Sequence, residues 1–324
     1  MSQVEGLDTG SITHTISVAI LVAGKPSQST ADSLGGGGYE MMIARLLQES
    51  LTAIPRFHYH QKKVLQVGAF DVTAGELPDD QQLAEGEWDA LLVTGSSESP
   101  ADDKPWINDL TKFLRHTAEQ HPLVRIIGFG FGHQIIARAF GGEIAKNPTG
   151  WELGDLSSKL TGTGHEVLSY PDDLDNICLI HLNQYHVTKT PPPFNESNFS
   201  VLASTDNAPV QGLVLRYHTE APPLPSLAET SAFVAYDVDD FCAKSAGPMP
   251  VRNAHILTFQ GHPEFTKEIW THELQCMADQ HSIDASIASG AMARAPENRD
   301  AIHVGAIILA MLGVEPASAN EDFA

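Results

Sequence analysis

The stretch RIIGFGFGHQII, residues 125–136, constrains the fold more than any other part of this chain. A short apolar run reads as a buried strand, and alternating glycines at Gly128, Gly130 and Gly132 then break it into a sharp turn. The following HQIIARAFGG reads as a helix closed by glycine at its C-terminus. A strand that turns this abruptly into a helix holds the turn residue above the carboxyl edge of a sheet, where open α/β folds collect their ligands. Gly128 and Gly132 are expected to supply the tight approach and the strained dihedrals. The helix start near His133 aims free N–H groups and a partial positive charge at the same place. The crest residue, Gly130, has no side chain to present.

The surrounding pattern supplies the sheet. TISVAILVAG, KVLQVGAFDV and DALLVTG read as strands, and GYEMMIARLLQESL and PWINDLTKFLRHTAEQ as amphipathic helices between them. This β-α alternation predicts a mostly parallel sheet with helices on both faces. In the second half HEVLSY, ICLIHL, SVLAST, QGLVLRY and AHILTFQ read as strands with short connections, so an antiparallel extension is expected. TKEIWTHELQCMADQHS and AIHVGAIILAMLG close the chain as helices. Residues 1–13 and 316–324 read as tails around a single domain at 14–315. A proline- and alanine-rich insert at 218–253 reads as a surface loop of a length that lids also use. The glycines at 35–38 form a connector and not a phosphate loop, because no Lys-Ser/Thr follows them.

Composition narrows the partners. A formal net charge of -22 speaks against sequence-independent nucleic-acid binding and against an anionic membrane surface. The cysteines, Cys178, Cys242 and Cys276, are sparse and form no CxxC pair, which fits a reducing compartment. The N-terminal segment has no basic n-region and no span-length apolar run, so a cytoplasmic protein is expected. Histidines at His58 and His60, and at His181 and His186, lack a supporting carboxylate or cysteine at ligand spacing, so neither a metal nor a cofactor is expected. A dinucleotide site is also disfavoured, since His133 stands where the third glycine of G-x-G-x-x-G belongs.

Four motifs in order carry a resemblance. GFGFGHQ resembles the G-x-C-x-G-H-Q nucleophile elbow of the class I glutamine amidotransferase-like family, and FQGHPEF resembles its G-H-P-E motif. LLVTGSSESPADDKPWI is similar to the family's oxyanion loop, and GWELG and APVQGLVL to family strands. The likeness runs from about residue 15 to residue 270, interrupted by the insert. It implies a flavodoxin-like α/β three-layer sandwich. It further implies that His262 is the proton-shuttling histidine, Glu264 its orienting carboxylate, and the backbone of Gly95 and Ser96 the oxyanion side. Phe131, His133 and Gln134, which follow the elbow, fall on the substrate side by the same resemblance. LNQYHV, residues 182–187, corresponds to a pocket-lining M-H-R-D-H-V segment, with Asn183 in place of histidine, Tyr185 in place of aspartate, and His186 retained.

In that family a cysteine thiolate attacks the side-chain amide of glutamine. The resemblance puts Gly130 at the cysteine, and glycine cannot form a thioester. Together with the lost aspartate at Tyr185, this predicts a pocket that no longer serves glutamine. The expected consequence of the missing side chain is an enlarged pocket, in which oxyanion donors stabilise an enolate or alkoxide while His262 moves a proton. Isomerase, lyase, cyclase and hydrolase chemistry on a non-glutamine small molecule all fit, as does a place in secondary-metabolite biosynthesis. Two alternatives stay open: a non-catalytic relative that binds a metabolite or a partner protein, and a glutaminase inactivated at the cysteine position. The oligomeric state is not legible.

Overall fold

The computed structural model describes residues 13–53, 62–170, 173–225, 249–294 and 296–314. Residues 1–12 and 316–324 of the expected tails, the core of the 218–253 insert, Cys242, His58 and His60 lie outside the described residues. Strands β1 (Thr13–Val22), β2 (Lys62–Asp71), β3 (Ala90–Val93), β4 (Arg125–Phe129) and β11 (Ala254–Phe259) form a parallel block in the order β2-β1-β3-β4-β11. Counting these as strands one to five gives the flavodoxin-like order 2-1-3-4-5. Beyond β11 the sheet continues antiparallel through β10 (Gly212–Arg216), β9 (Phe199–Ser204), β6 (Glu152–Leu160) and β7 (Asn176–Asn183). A small separate ribbon pairs β5 (Glu143–Lys146) with β8 (Tyr185–Lys189).

β1, β3, β4 and β11 are buried on both faces, while β2 at the sheet edge is partly exposed, and side-chain alternation divides the core. Ile16, Val18 and Ile20 of β1 face one layer, made by α2 (Tyr39–Ala53), α6 (Gly162–Leu168) and α9 (Ala301–Met311). Ala19 and Leu21 face the other, with α3 (Asp80–Ala84), α4 (Pro105–Gln120) and α5 (Phe131–Ala139). A third cluster packs α7 (Lys267–Asp279) and α8 (Ala285–Met292) around the fully buried Trp270, whose indole N–H donates to the His181 carbonyl at 3.0 Å. A short helix, α1 (Gln28–Ser33), follows β1. No helix among the described residues is long and apolar enough to cross a membrane.

The expected sandwich is therefore observed, with one local correction. HEVLSY is not a strand: it lies in α6 and its C-terminal turn. The Thr161 hydroxyl caps the helix by accepting from Gly164 N at 3.0 Å, and Ser169, left-handed at φ 50, ends it. A helix this short has too few turns to show a period, and its two glycines read as a turn. The strands β5, β6 and β8 and the helix α8 complete elements that the apolar patterning leaves incomplete.

The glycines of the elbow have separate duties. Gly128 and Gly132 do not have positive φ, contrary to the strained dihedrals expected of them, and they serve close approach alone. A methyl group on Gly128 would lie 2.6 Å from the Gly132 carbonyl carbon, and one on Gly132 would lie 2.9 Å from the Val93 carbonyl carbon. Helix α5 thus lies directly against the backbone of β3 and β4. Gly132→Ala is expected to destabilise the protein by about 1–3 kcal/mol through overpacking. A lowered urea midpoint checks this, and an unchanged one contradicts the packing account.

Candidate active site

The elbow is fixed from both sides. β4 is buried throughout and ends at Phe129, and Gly130 then adopts φ 53, ψ -110, a region open to glycine and strained for other residues. Its N–H donates to the Phe259 carbonyl at 3.0 Å, tying the turn to the end of β11, and its carbonyl accepts from Gln134 N at 3.3 Å. The first turn of α5 follows at once. Its leading N–H groups have no intrahelical acceptor and carry the positive end of the helix dipole.

The chain leaving β11 brings His262 over this turn. His262 Nδ1 lies 2.8 Å from Glu264 Oε1, and both residues are buried. With the ring hydrogen on Nδ1 donated to the carboxylate, Nε2 carries the lone pair. His262 and Glu264 do not lie on one face of an extended segment. They meet in a turn, closed by Phe265 N donating to the His262 carbonyl at 3.2 Å. The imidazole stacks on Phe265 with centroids 4.3 Å apart and planes 16° apart, and Phe265 stacks in turn on Tyr39.

A methyl group on Gly130 would lie 2.6 Å from His262 Nε2, and one on Gly95 would lie 2.8 Å from His262 Cε1. The ring therefore sits in the slot between the two glycines and fills the space a side chain at 130 would use. This corrects the expectation of an enlarged pocket: the room left by the absent side chain is taken up by the histidine.

Asn298 holds this loop in place, and nothing in the sequence marks it. Its side-chain amide donates to the carbonyls of His262 (2.9 Å), Pro263 (3.3 Å) and Phe265 (2.8 Å), while Oδ1 accepts from Ile180 N at 3.1 Å. His262 N donates to the Ile180 carbonyl at 2.8 Å, so β7 and Asn298 grip the segment together. A buried asparagine with donors and acceptor all engaged is a positioning device, since breaking any of these hydrogen bonds leaves a buried polar group unpaired.

Other residues expected to meet substrate face inward. His133 is fully buried with Nδ1 2.8 Å from Thr258 Oγ1. Gln134 donates to Gln260 Oε1 (2.8 Å) and to the Tyr185 carbonyl (2.6 Å). Asn183 donates to Glu152 Oε2 at 2.8 Å and meets His181 Nδ1 through Oδ1 at 3.1 Å, and Gln211 donates to both Glu152 oxygens. His186 is buried as well. These side chains form a polar wall that ties α5 to β6, β7, β8 and β10, so the helix polarity at the elbow comes from backbone N–H groups and not from His133 or Gln134. Gly95 is buried beside the ring, Ser96 is half-buried with its hydroxyl accepting from Glu98 N at 3.2 Å, Tyr185 is half-buried, and Phe131 packs against Trp106.

Burial also keeps three histidines of this wall uncharged. Desolvation holds His133 down to about 3. It holds His181 down to about 4 despite the opposing Glu152 carboxylate, and lowers His186 in the same way. These imidazoles stay neutral, whereas the ring of His262 is bonded to the Glu264 carboxylate.

No family model matches the chain. It is 27% identical over 254 residues to a protein of Schizosaccharomyces pombe named glutamine amidotransferase-like, covering 78% of this chain and 80% of that one. A glutamine amidotransferase-like protein of Penicillium rubens is 27% identical over 199 residues, covering 61% of this chain and 65% of that protein. Gamma-glutamyl peptidase 3 of Arabidopsis thaliana is 24% identical over 203 residues, covering 62% and 63%. The match thus spans less than two thirds of the latter two. Among solved structures, a glutamine amidotransferase from Thermotoga maritima superposes with a TM-score of 0.56 at 11% identity, covering 93% of this chain and 99% of that one. One from Methylobacillus flagellatus gives 0.52 at 17%, covering 96% and 100%. The resemblance to the class I glutamine amidotransferase-like family and its fold holds.

Asn298→Ala is expected to cost about 1–3 kcal/mol for each buried group it leaves unpaired, read as a lower urea midpoint; no loss would contradict its positioning role. The pH dependence has a definite sign. His133, His181 and His255 have folded values of about 3, 4 and 4, against an ordinary 6.5. Their contribution is fully present above 6.5 and is lost as pH falls toward those folded values, because the unfolded chain takes up the protons first. Stability is expected to fall by about 1–2 kcal/mol per histidine between pH 6.5 and 5. Unfolding curves across that window check it, and a flat profile would contradict it.

Proposed function

We propose that this relative of the glutamine amidotransferase-like proteins is an acid–base enzyme that works without a nucleophilic cysteine on a small molecule other than glutamine. The observation that carries the reading is the position of His262. Its Nδ1 is bonded to Glu264, and its Nε2 lies beside the place where a side chain at 130 would stand. In the cysteine-dependent reaction that place belongs to the attacking sulfur, so here the reacting atom of a substrate meets a nitrogen base in its stead. The base takes a proton at Nε2, and Glu264 stabilises the imidazolium through the Nδ1–H bond. Negative charge developing on the substrate lies near the first turn of α5 and the backbone around Gly95. Proton abstraction beside a carbonyl, or activation of a water for hydrolysis, are the reactions this arrangement performs. The gamma-glutamyl peptidase named among the relatives makes an amide or peptide substrate attacked by such a water one concrete candidate.

One observation favours a second, non-catalytic reading in which the chain binds a metabolite or a partner protein. The His262 side chain is only 7% exposed, so a substrate reaches Nε2 only if the ring or its surroundings move.

Ammonia release from glutamine separates this reading from glutaminase chemistry, and none is expected. Gly130→Cys is expected not to create it, because the ring occupies the space of the new side chain and φ 53 strains it. Release by the parent would overturn the cysteine-free reading, and release by Gly130→Cys would overturn the claim that the ring excludes a side chain at 130. On a substrate found by screening amides, lactones and β-keto acids, His262→Ala is expected to lose at least about 100-fold in kcat, as for removal of a general base. Full turnover in that variant would overturn the acid–base role of His262, and no turnover by the parent on any of these substrates would favour the binding reading.

A further inference from the structure

A second cluster of titratable groups lies far from His262 in the fold. His116, in the last turns of α4, and His121, the residue that caps that helix, both direct Nε2 at one oxygen of Asp80 in the first turn of α3. The distances to Asp80 Oδ1 are 2.8 Å and 2.7 Å, and the three ligand atoms lie within 4.8 Å of one another. Sequence spacing does not show this group, because the three residues come from two elements separated by β3 and its loop. It departs from the expectation of no metal, which weighed the histidines at 58, 60, 181 and 186.

We propose that Asp80, His116 and His121 bind a divalent transition cation, with Zn²⁺ the best fit. Two imidazoles and one carboxylate are a Zn²⁺ ligand set that leaves a fourth tetrahedral position to water. At bond lengths of about 2.0–2.1 Å the ligand atoms of such an ion stand roughly 3.3–3.5 Å apart, so each histidine–aspartate pair has to open by only roughly 0.5–0.8 Å. Each imidazole moves its ring hydrogen to Nδ1 and offers the Nε2 lone pair. The backbone beneath is already set. Asp79 caps α3 through a reciprocal pair of hydrogen bonds with Gln82. His121 N donates to the Thr117 carbonyl at 2.8 Å, and the His121 carbonyl accepts from Val124 N at 3.0 Å. His116 and Asp80 are exposed and His121 is half-buried, so an ion has direct access. The chain's net charge of -22 favours cations at its surface.

The position assigns the ion a role. Helix α4 ends where the chain turns into β4, so its C-terminus lies at the amino edge of the parallel block, while the elbow lies at the carboxyl edge. An ion here clasps α3 to α4 on one face of the sheet. It stabilises the fold and takes no part in the reaction at His262.

The test uses the full chain without a histidine tag, stripped with chelator and titrated with Zn²⁺ against a chromophoric competitor. One ion per chain is expected at this site, together with a rise in Tm on saturation. His116→Gln, at an exposed position that leaves the fold intact, is expected to weaken binding by more than the roughly 10–100-fold typical for loss of a group that merely supports a ligand. Asp80→Asn is expected to weaken it too, and both to abolish the Tm rise. His281→Gln, at a histidine outside the cluster, serves as the control and is expected to bind as the parent does. Equal affinity in the parent and His116→Gln, or no binding by the parent, would overturn the proposal.

Discussion

The imidazole of His262 occupies a slot that exists because residues 95 and 130 lack side chains, and much of the architecture serves to keep it there. A β-carbon at either position would collide with the ring. Glu264 fixes the rotation of the ring by a bond to Nδ1, and Phe265 covers one face. Ring orientation, tautomer and depth are thus set from three directions. Such fixation is what a general base requires, because proton transfer depends on a donor–acceptor geometry held before the substrate arrives.

That geometry rests on two further layers. Asn298 engages three carbonyls of the loop bearing the dyad and so replaces the sheet hydrogen bonds that the chain gives up when it leaves β11. Behind the elbow, the polar wall of Gln134, Gln260, Asn183, Glu152 and Gln211 joins helix α5 to the antiparallel half of the sheet. Buried polar networks of this kind are costly when half satisfied and rigid when complete. The parallel block and the antiparallel extension are tied together at the site and not only along β10 and β11.

The fold was largely legible because its signals are local. Apolar runs such as those of β1 and β4 are buried on both faces, and the amphipathic period of α4 is long enough to read. The element misread, α6, is short and glycine-bearing, and its identity depends on the Thr161 cap and on packing against β9. The candidate site was legible as a cluster of motif residues: Gly130, His262 and Glu264 come from separate motifs and lie together in the structure. What the sequence withheld was direction. His133, Gln134 and Asn183 follow or replace motif residues, yet their side chains find their partners in the interior, a choice set by tertiary neighbours up to 126 positions away. Asn298 stays invisible for the same reason, as do the three convergent ligands on α3 and α4, because only the folded chain brings such residues together.

Glycine at 130 shapes the site through its backbone as well as through the space beside it. The backbone there is held at positive φ by β11 on one side and α5 on the other, so the turn persists whatever its side chain does. Space left unfilled beside this glycine would forfeit dispersion attraction, so a neighbour anchored nearby has to occupy it. His262 meets that requirement and remains bonded to Glu264. Positions 130 and 262 are consequently coupled: a substitution at one is read through the volume left to the other, and neither residue has a role that can be stated alone.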